Sequence, residues 1–477
     1  MKRDALYIDG EWTAADSGKT IDVVNPATGA VIGTVPDAGA AETRKAILSA
    51  ERAFESYSQT TAADRAAKLH KLHDLILDHQ DDLARMLTEE QGKPLTEARA
   101  EIGMSAAYVR WFAEEARRVY GEIIPSPWQD RQLHATREPI GVVAAITPWN
   151  FPSSMLARKI APALAAGCTV VAKPASQTPY SGLIWGQLCE AAGFARGVVN
   201  VVTGDARTIG AELCSNQAVR KVTFTGSTQV GKILLRQAAD TVKKVSMELG
   251  GNAPFIVFDD ADLDAAVAGA IAAKFRNSGQ TCVCTNRVYV QDGIHDAFMA
   301  RFATAIEALK MGNGLEDDVQ AGPLIDENSL AKVEEFVADA QAKGGNITLG
   351  GKRLRSRGFF FAPTLIENAN DDMRLSREEV FGPLAPVFKF TSEEEVLRRA
   401  NATEFGLAAY FYTQSLGRAM RVSRALEYGI VGINEGLVTT EVAPFGGFKE
   451  SGVGREGGPH GIEDYLEIKY VCMGGLG

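Results

Sequence analysis

The sequence predicts an α/β fold in which a doubly wound parallel sheet is followed by a second α/β unit and a small β extension. The first observation is an alternation between residues 140 and 258, where the apolar strands GVVAAITP, TVVAKPA, VVNVVTG and KVTFTGS are each followed by a helical segment. The second is that these strands are almost continuously apolar, which is typical of strands covered by helices on both faces. Ligands of such sheets bind beyond the carboxyl ends of the strands.

The parts on either side of this alternation are also α and β. The segment LYIDGEWTAADSGKTIDVVNPATGAVIGTVPDAG predicts a short β hairpin, because turn signals separate its alternating stretches. Residues 41 to 118 have apolar residues every three or four positions and predict helices. A second α/β block, from about 250 to 440, contains the helical segments LDAAVAGAIAAKF and HDAFMARFATAIEALK and the strands APFIVF, NRVYVQ and VGINEG.

Two further segments predict strands of a β extension. A polar strand pair is expected at about residues 120 to 138. The tail, EDYLEIKYVCMGG, alternates apolar and polar residues but has no hairpin partner beside it in the sequence. A lone terminal strand needs a sheet edge, and another subunit could supply one. We therefore expect a homodimer or a homotetramer.

Composition argues against several classes of function. The net charge of −10 disfavours nucleic acid as a partner, because phosphate contacts need a basic face. No run reaches the roughly 18 apolar residues of a membrane span, and the N-terminus does not resemble a secretory signal. Six thinly spread cysteines fit a reducing compartment, and no metal is expected, because the histidines and cysteines lack metal-ligand spacings. We expect a cytoplasmic protein with no membrane partner.

A glycine-containing turn is the first candidate binding site. In FTGSTQVGK, Gly226 and Ser227 lie between a strand and a helix, and Gly231 follows on that helix. Backbone N–H groups and the dipole of a helix N-terminus favour a pyrophosphate. Because the spacing differs from GxGxxG, the segment alone equally fits a turn in which glycine permits close packing.

A second candidate for nucleotide binding is VAKPASQTP, at the end of the preceding strand. Lys173 and Ser176 would lie beside an adenine ribose, and no acidic residue follows Lys173 before Glu190. NAD sites commonly hold the 2′-hydroxyl with a carboxylate that would repel a 2′-phosphate. A cation and a hydroxyl accept that phosphate, so we expect NADP, with NAD as the alternative.

The segment FRNSGQTCVCTNR contains two cysteines, Cys282 and Cys284, with no histidine nearby. A thiolate is the reactive species, and a free thiol with a pKa of ~8.5 is little ionised at neutral pH. A loop whose backbone N–H groups lower the pKa of Cys282 would activate it. In an extended segment the two side chains point to opposite faces, so one could be exposed and the other buried. Two inert thiols are the alternative.

Two polar residues adjoin apolar strands. Glu248 precedes a Gly-Gly pair and the strand APFIVF, where partial burial would raise its pKa as a general base requires. Asn150 directly follows the strand of ITPWNFP, where its amide could donate to an oxyanion. A carboxylate that caps N–H groups and an asparagine in a turn are the structural alternatives.

Six motifs together resemble the aldehyde dehydrogenase superfamily: ITPWNFP, FTGSTQVG, MELGGNAPFIVFDDADLD, FRNSGQTCVCTNR, EEVFGPLAPV and PFGGFKESGVGREGG. The resemblance extends over essentially the whole chain and is greatest to the NADP-accepting succinate-semialdehyde dehydrogenases of bacteria, of which KPASQTP and GIEDYLEIKY are typical. It implies a Rossmann-type cofactor domain at residues 1–118 and 137–249, a catalytic α/β domain at 250–445, and oligomerisation strands at 119–136 and 463–477.

The resemblance also implies three catalytic roles. Cys282 is the nucleophile, Asn150 donates its amide to the oxyanion together with the N–H of Cys282, and Glu248 activates the water that hydrolyses the acyl enzyme. The residues implied to hold the dinucleotide are Trp149, Lys173, Ser176, Gly226, Ser227, Glu379 and Phe381.

The substrate implied is succinic semialdehyde, which would be oxidised to succinate through a cysteine thiohemiacetal and a thioester. Its carboxylate needs a fixed cationic fork. The resemblance assigns this to Arg158 and Arg276, with the hydroxyl of Thr439; for Arg276 a structural salt bridge is the alternative. Related sequences often have serine in place of Thr439, and the extra methyl group bears on the substrate length that is accepted.

Three alternatives stay open on the sequence. Glutarate semialdehyde, or another small aldehyde, could be the principal substrate, since one methylene changes discrimination by only ~1–3 kcal/mol. A non-catalytic family member would act as a binding or structural protein. Cys284 is also a candidate redox partner, because a strained disulfide with Cys282 would silence the nucleophile, although a buried packing residue is the plainer interpretation.

Overall fold

The computed structural model describes residues 4–354 and 357–476. The outermost ends of the predicted domains, residues 1–3 and 477, and the pair 355–356 lie outside this part of the chain. Within the described residues, no helix is both long enough and apolar enough to cross a membrane.

The N-terminal part consists of two hairpins and a group of helices. Its elements are β1 (Leu6–Ile8), β2 (Glu11–Thr13), β3 (Thr20–Val24), β4 (Val31–Pro36), α1 (Ala40–Tyr57), α2 (Ala62–Asp78), α3 (Gln80–Gln91) and α4 (Leu95–Glu115). β1 pairs with β2 and β3 with β4, so two hairpins are found where the turn signals predicted one. The predicted helices between residues 41 and 118 are confirmed. Local chemistry sets their starts: α2 begins after Thr61, whose side chain accepts the N–H of Asp64.

After β5 (Glu122–Ile124) and β6 (Gln132–Pro139), strands and helices alternate as predicted, and one further strand, which was not predicted, follows the last of these helices. These elements are β7 (Val142–Ile146), α5 (Pro152–Ala166), β8 (Thr169–Lys173), α6 (Tyr180–Ala192), β9 (Val199–Val201), α7 (Ala206–Ser215), β10 (Val219–Thr225), α8 (Thr228–Ala239) and β11 (Lys244–Glu248). The parallel strands pair in the order β9-β8-β7-β10-β11, with β1 and β2 beyond β9. Because β8 and β10 lie on opposite sides of β7, a crevice for a ligand opens at the carboxyl ends of β7 and β10.

The second block forms a separate sheet. Its elements are β12 (Ala253–Val257), α9 (Leu263–Phe275), β13 (Thr285–Gln291), α10 (His295–Glu307), α11 (Glu327–Ala342), β14 (Asn346–Leu349), β15 (Thr364–Glu367), β16 (Leu384–Phe390), α12 (Glu393–Asn401), β17 (Phe405–Gly406), β18 (Ala408–Tyr412), α13 (Leu416–Ala425) and β19 (Ile430–Ile433). The order is β14-β15-β16-β13-β12-β18-β19, with β14 antiparallel and the other pairs parallel. The predicted α/β character of this block is confirmed. The 3-10 helices are Ala116–Arg118, Arg276–Gly279, Asp292–Ile294, Arg374–Ser376 and Pro459–Tyr465.

Three C-terminal strands return to earlier parts of the chain: β20 (Phe448–Lys449), β21 (Gly452–Val453) and β22 (Leu466–Met473). β20 pairs with β17, and β21 joins the first sheet beside β11. β22 pairs antiparallel with β6 along its whole length, and β5 lies on the other side of β6. The expectation that the tail strand needs a sheet edge is confirmed, and the edge is supplied by a strand far away in the same sequence rather than by another subunit.

Apolar side chains cover both faces of each sheet. The clusters contain Phe112 on one face of the first sheet and Leu213 on the other, and Phe388 and Phe298 on the two faces of the second. This double covering explains why the central strands of both sheets are continuously apolar in the sequence. The predicted domain limits stay predictions.

Candidate active site

Two cavities meet at one cysteine. The first opens at the carboxyl ends of β7 and β10, and the second lies between α4, α5 and the loops that precede β13 and follow β19. Cys282 lines both. The predicted residues in the first cavity are Trp149, Asn150, Gly226, Ser227, Glu379 and Phe381, and those in the second are Arg158, Arg276 and Thr439.

The segment that carries this cysteine joins α9 to β13 through a strained turn. Asn277 and Ser278 have left-handed backbone conformations, with φ of 51° and 54°, which cost roughly 1–2 kcal/mol each for residues other than glycine. Buried hydrogen bonds hold the turn: Ser278 Oγ donates to the carbonyl of Gly322 at 2.8 Å, and Gln280 Nε2 donates to that of Asn277 at 3.1 Å. Tertiary contacts thus impose the conformation that places Cys282.

The Cys282 thiol is half-buried, and its pKa is raised rather than lowered. Burial raises the pKa to about 12, Glu379 and Glu248 add to the shift, and Arg158 opposes it. The expectation of a lowered pKa is wrong: the N–H of Cys282 does lower it, but burial and the two carboxylates outweigh that effect. Ionisation of this thiol therefore needs additional positive charge in the cavity or a base.

Cys284 lines neither cavity. It is buried, its Sγ donates to the carbonyl of Lys274 at 3.2 Å, and Lys274 Nζ donates to the sulfur at 3.4 Å. The expected contrast between one accessible and one buried thiol is confirmed. A redox role for Cys284 stays a prediction, and a disulfide with Cys282 would require the Cys284 sulfur to leave these contacts.

Asn150 lies in the turn between β7 and α5 and is buried. Its Nδ2 donates to the carbonyl of Gln280 at 3.0 Å, and its Oδ1 has no hydrogen-bond partner within the described residues. The side-chain amide therefore faces the nucleophile segment with a donor, as an oxyanion role requires. Its backbone carbonyl accepts from Lys93 Nζ at 2.7 Å and from Asn277 Nδ2 at 3.0 Å.

Glu248 ends β11 and is 2% exposed. Among the residues that the structure describes, neither of its carboxylate oxygens has a hydrogen-bond partner, so it does not cap N–H groups. The C-terminal strands cover it: Glu248 pairs with Gly452, and a Cβ on Gly446 would lie 2.9 Å from its Oε1. Burial raises the pKa of Glu248 well above its usual value, and Glu456 adds to the shift.

Glu456 and Lys159, beside Glu248, were missed by the sequence analysis. Lys159 Nζ donates to Glu456 Oε1, and Glu456 Oε2 lies 3.9 Å from Arg158 Nη1. Lys159 and Arg158 oppose the rise in the pKa of Glu248. No local signal marks these residues, because they meet only when the C-terminal segment folds back on α5.

The two predicted substrate arginines have unused hydrogen-bonding capacity. The Arg158 guanidinium is 3% exposed and lies between two rings, 4.8 Å from the centre of Tyr108 and 4.5 Å from that of Phe445. Its Nε and Nη1 have no hydrogen-bond partner within the described part of the chain. Arg276 lies 5.0 Å from the ring centre of Phe151 and forms no ion pair within 4 Å there, so the structural salt bridge is not found. The buried donors of Arg158 that lack partners favour an anionic ligand, and the half-buried guanidinium of Arg276 adds positive charge to the same cavity.

The wall of this second cavity also contains Thr439, as predicted, and two carboxylates that sequence reasoning missed, Glu97 and Glu101. Glu97 Oε2 accepts the N–H of Asn277 at 2.9 Å. Burial raises the pKa of Glu97, while Lys93 and Arg276 oppose the rise. The cavity therefore combines its cations with carboxylates that are already engaged by the protein.

The first cavity fits a dinucleotide. Ser227 directly precedes α8, and its Oγ accepts the N–H of Val230 at 3.4 Å, which leaves the other N–H groups at this helix start for a pyrophosphate. Thr225 Oγ1 is buried there without a partner among the described residues. Glu379 Oε1 accepts the N–H of Gly251 at 3.1 Å, and the carboxylate can accept from a ribose diol; burial raises the pKa of Glu379 to about 7.

Aromatic rings and a lysine complete this cleft. The rings of Trp149 and Phe381 meet edge to face, with centres 5.5 Å apart. Ser329 and Lys332, which the sequence analysis missed, also line the cleft, and Lys332 Nζ donates to the carbonyl of Glu379 at 2.8 Å. In the described part of the chain, no three His, Cys, Asp or Glu side chains form a metal-binding group.

Lys173 and Ser176 line neither cavity. Lys173 is buried, its Nζ donates to the carbonyl of Pro174 at 3.2 Å, and burial lowers its pKa to about 8. The charge of Asp205 opposes that shift. No acidic residue follows Lys173 in the sequence before Glu190, but in the folded chain the charge of Asp205, at the start of α7, acts on it from the end of the next strand.

The whole chain is similar to known enzymes. The model of the "Aldehyde dehydrogenase family" matches residues 12–471. The glutarate-semialdehyde dehydrogenase of Pseudomonas aeruginosa is 57% identical over 99% of this chain and 98% of its own. The 3-sulfolactaldehyde dehydrogenase of Pseudomonas putida is 58% identical over 100% and 98%, and the NADP(+) succinate-semialdehyde dehydrogenase of Escherichia coli is 57% identical over 99% and 98%.

Solved structures show the same likeness. The succinate-semialdehyde dehydrogenase of Burkholderia pseudomallei has a TM-score of 0.98 and 56% identity, with 99% of this chain and 98% of that chain covered. The betaine aldehyde dehydrogenase of Staphylococcus aureus, in complex with NAD+, has a TM-score of 0.97 and 38% identity, with coverage of 100% and 95%. The resemblance drawn from the six motifs is confirmed.

Proposed function

The chain belongs to the aldehyde dehydrogenase family, and we propose that it oxidises succinic semialdehyde to succinate with NADP as its preferred hydride acceptor. The observation that carries the substrate proposal is the pair of arginines, Arg158 and Arg276, in a cavity that shares Cys282 with the dinucleotide cleft. Guanidinium groups with unused donors suit an aldehyde whose far end carries a carboxylate. The relatives at 56–58% identity are named for aldehydes that carry a carboxylate or a sulfonate, which agrees with this assignment. The Staphylococcus aureus enzyme, at 38% identity, is named for a cationic aldehyde.

The first half of the proposed reaction forms a carbon–sulfur bond. Arg158 lowers the pKa of Cys282, so further positive charge in the shared cavity favours the thiolate. The thiolate attacks the aldehyde carbon, and negative charge moves to the carbonyl oxygen. Asn150 Nδ2 and the N–H of Cys282 donate to that oxygen, and each such donor lowers the barrier by ~3 kcal/mol in comparable sites.

When bound, the dinucleotide supplies a hydride acceptor and a positively charged ring. The thiohemiacetal carbon loses hydride rather than a group that must be protonated, which is why the site needs no histidine acid. A thioester remains on Cys282. Glu248, with its raised pKa, takes a proton from water, the resulting hydroxide adds to the thioester carbon, and the carbon–sulfur bond breaks to release the acid.

The preference for NADP is supported by Lys173 and Ser176 and by the name of the Escherichia coli relative. The buried amine of Lys173 lies at the carboxyl end of β8, beside the dinucleotide crevice, and a 2′-phosphate would stabilise its charged form. Asp205 acts in the opposite direction and favours a free 2′-hydroxyl. Side-by-side kinetics with NADP and NAD test the preference, and a higher kcat/KM with NAD would contradict it.

A substitution at the carboxylate clamp tests the substrate class. Arg276→Met should lower kcat/KM for succinic semialdehyde by about 30-fold or more, because truncation of one partner of a buried charge pair costs ~2–5 kcal/mol. Butanal, with the same carbon chain and no carboxylate, is the matched control and should change less than about 3-fold. An equal loss for both aldehydes would contradict the clamp.

Kinetics with a panel of small aldehydes test the open alternatives. Glutarate semialdehyde is favoured by the name of one 57% identical relative, and a higher kcat/KM for it than for succinic semialdehyde would make it the principal substrate. The 3-sulfolactaldehyde named for another relative belongs in the panel, since a sulfonate also suits a guanidinium fork. If no aldehyde reduces either dinucleotide, the non-catalytic alternative holds.

The proposed assembly is a homodimer or a homotetramer. On the three-stranded sheet, Ile123 is 82% exposed and Ile468 is 70% exposed, and Tyr120, which precedes β5, is also 70% exposed. Within the described strands, β22 has no neighbour on its outer side. An exposed apolar sheet with an open edge favours association. Light scattering should give the mass of a dimer or tetramer, and charged substitutions at Ile123 and Ile468 should lower it.

A further inference from the structure

A buried lysine holds the turn that carries Asn150. Lys93, in the connection between α3 and α4, is 1% exposed. Its Nζ donates to the carbonyl of Asn150 at 2.7 Å and to Glu101 Oε2 at 2.6 Å, and it lies 3.8 Å from the ring centre of Phe151. An ammonium group this deep in the protein needs such partners, because burial of a charge without them is costly.

Glu101 holds the other end of the same turn. Its Oε1 accepts the N–H groups of Ser153 at 2.9 Å and of Ser154 at 3.2 Å, in the first turn of α5. The ion pair therefore engages the carbonyl of Asn150 at one end of the turn and the N–H groups at its other end. A substitution of Lys93 or Glu101 therefore alters the position of the peptide that orients the Asn150 side chain.

The nucleophile segment is tied to the same oxygen. Asn277 Nδ2 donates to the carbonyl of Asn150 at 3.0 Å, and Asn150 Nδ2 donates to the carbonyl of Gln280 at 3.0 Å. One backbone carbonyl thus receives hydrogen bonds from Lys93 and from the segment that ends at Cys282. Lys93 itself lines neither cavity, so it does not touch the substrate or the dinucleotide.

We propose that Lys93 is a positioning residue for the oxyanion site, and that it acts through Asn150. The inference rests on the proposed role of Asn150 as the oxyanion donor. Active-site groups must be held within about 0.5 Å of the productive geometry, and a displacement of about 1 Å lowers the rate by about 100-fold. Without Lys93 the Asn150 carbonyl keeps only the Asn277 hydrogen bond, and the side chain is held only through its own hydrogen bond to the Gln280 carbonyl.

The test is a double-mutant cycle in the full-length enzyme. Lys93→Met should lower kcat by about 10- to 100-fold while KM for NADP changes by less than about 2-fold, since the dinucleotide cleft is untouched. In an Asn150→Ala background the same substitution should lower kcat by less than about 3-fold more, because the group through which it acts is gone. If the fold-loss of kcat in the double variant equals the product of the losses in Lys93→Met and Asn150→Ala, the inference is overturned. If Asn150→Ala keeps the wild-type kcat, the oxyanion role of Asn150 fails instead.

Two further variants separate positioning from folding. Lys221, on β10, is also wholly buried and donates to Ser246 Oγ. Lys221→Met should lower Tm, while the folded enzyme keeps its kcat. If Lys221→Met lowers kcat as much as Lys93→Met does, the effect of Lys93→Met comes only from the loss of a buried charge, and the inference is overturned. If Lys93→Met does not fold, it is combined with Glu101→Gln, so that both buried charges are removed. The kcat of this double variant is then measured with Asn150 and with Asn150→Ala, and the two values replace those of Lys93→Met in the cycle.

Discussion

Replacement of Glu248 by glutamine should separate the two halves of the reaction. Glu248 is 2% exposed, and neither carboxylate oxygen has a hydrogen-bond partner within the described residues. Glutamine has almost the same volume, so it fits without a cavity and breaks no hydrogen bond. Its amide cannot take a proton from water, which leaves the thioester on Cys282 without a base for hydrolysis.

The magnitude differs between the two halves. A general base contributes ~10²–10⁴-fold, or about 3–5 kcal/mol, so steady-state kcat should fall by that factor. The Glu248 charge raises the pKa of Cys282, so a neutral glutamine lowers the pKa of the thiol and does not slow thiohemiacetal formation. Because the pKa of Glu248 is raised in the folded protein, its stabilising contribution is complete below the unfolded-state pKa and is lost as the pH rises through the folded one. Glu248→Gln should therefore unfold at a higher temperature than the wild type at neutral and alkaline pH.

The assay is rapid mixing with NADP and succinic semialdehyde, followed by the absorbance of the reduced dinucleotide. Glu248→Gln should give a burst of one equivalent per active site and then a slow steady state. Glu90→Gln is the matched control: Glu90 is also wholly buried with a pKa of about 7, but it accepts the N–H groups of Tyr180 and Ser181 at the start of α6. A steady state within about 10-fold of the wild type, or the absence of a burst, would refute the role of Glu248.

Three further outcomes follow from the structure. Glu456→Gln should lower the pKa of Glu248, so the rise of kcat with increasing pH should occur at a lower pH than in the wild type. A pH profile that does not move would show that the two carboxylates do not interact. Val242, 89% exposed with φ of 51°, is a β-branched residue in the left-handed region, so Val242→Gly should stabilise the protein by ~1 kcal/mol; a denaturant midpoint no higher than that of Val242→Ala would contradict this. If Cys284 is the redox partner of Cys282, Cys284→Ala should protect activity from reversible loss in peroxide, and the same loss as in the wild type would contradict the disulfide.

Short-range patterns were enough to predict much of this protein. The strands β7 to β10 and the helices that follow them were predicted because continuous apolar runs and helical periodicity are local features. The junction of β10 and α8 was predicted from Gly226 and Ser227 for the same reason. The six motifs identified the family and led to Cys282, Asn150 and Glu248 as candidates, although their roles remain proposals.

Tertiary structure decided what depends on distant segments. The pairing of β22 with β6, and the approach of Glu456 to Glu248, join residues far apart in the chain, and no local pattern encodes such contacts. The sign of the pKa shift of Cys282 also required the fold, because burial and the charges around the thiol come from separate segments. The sequence by itself thus determined the elements, the family and the candidate chemical groups. Only the folded chain decided which charges lie together in a low-dielectric interior, and hence which groups are ionised, paired or free to bind a substrate.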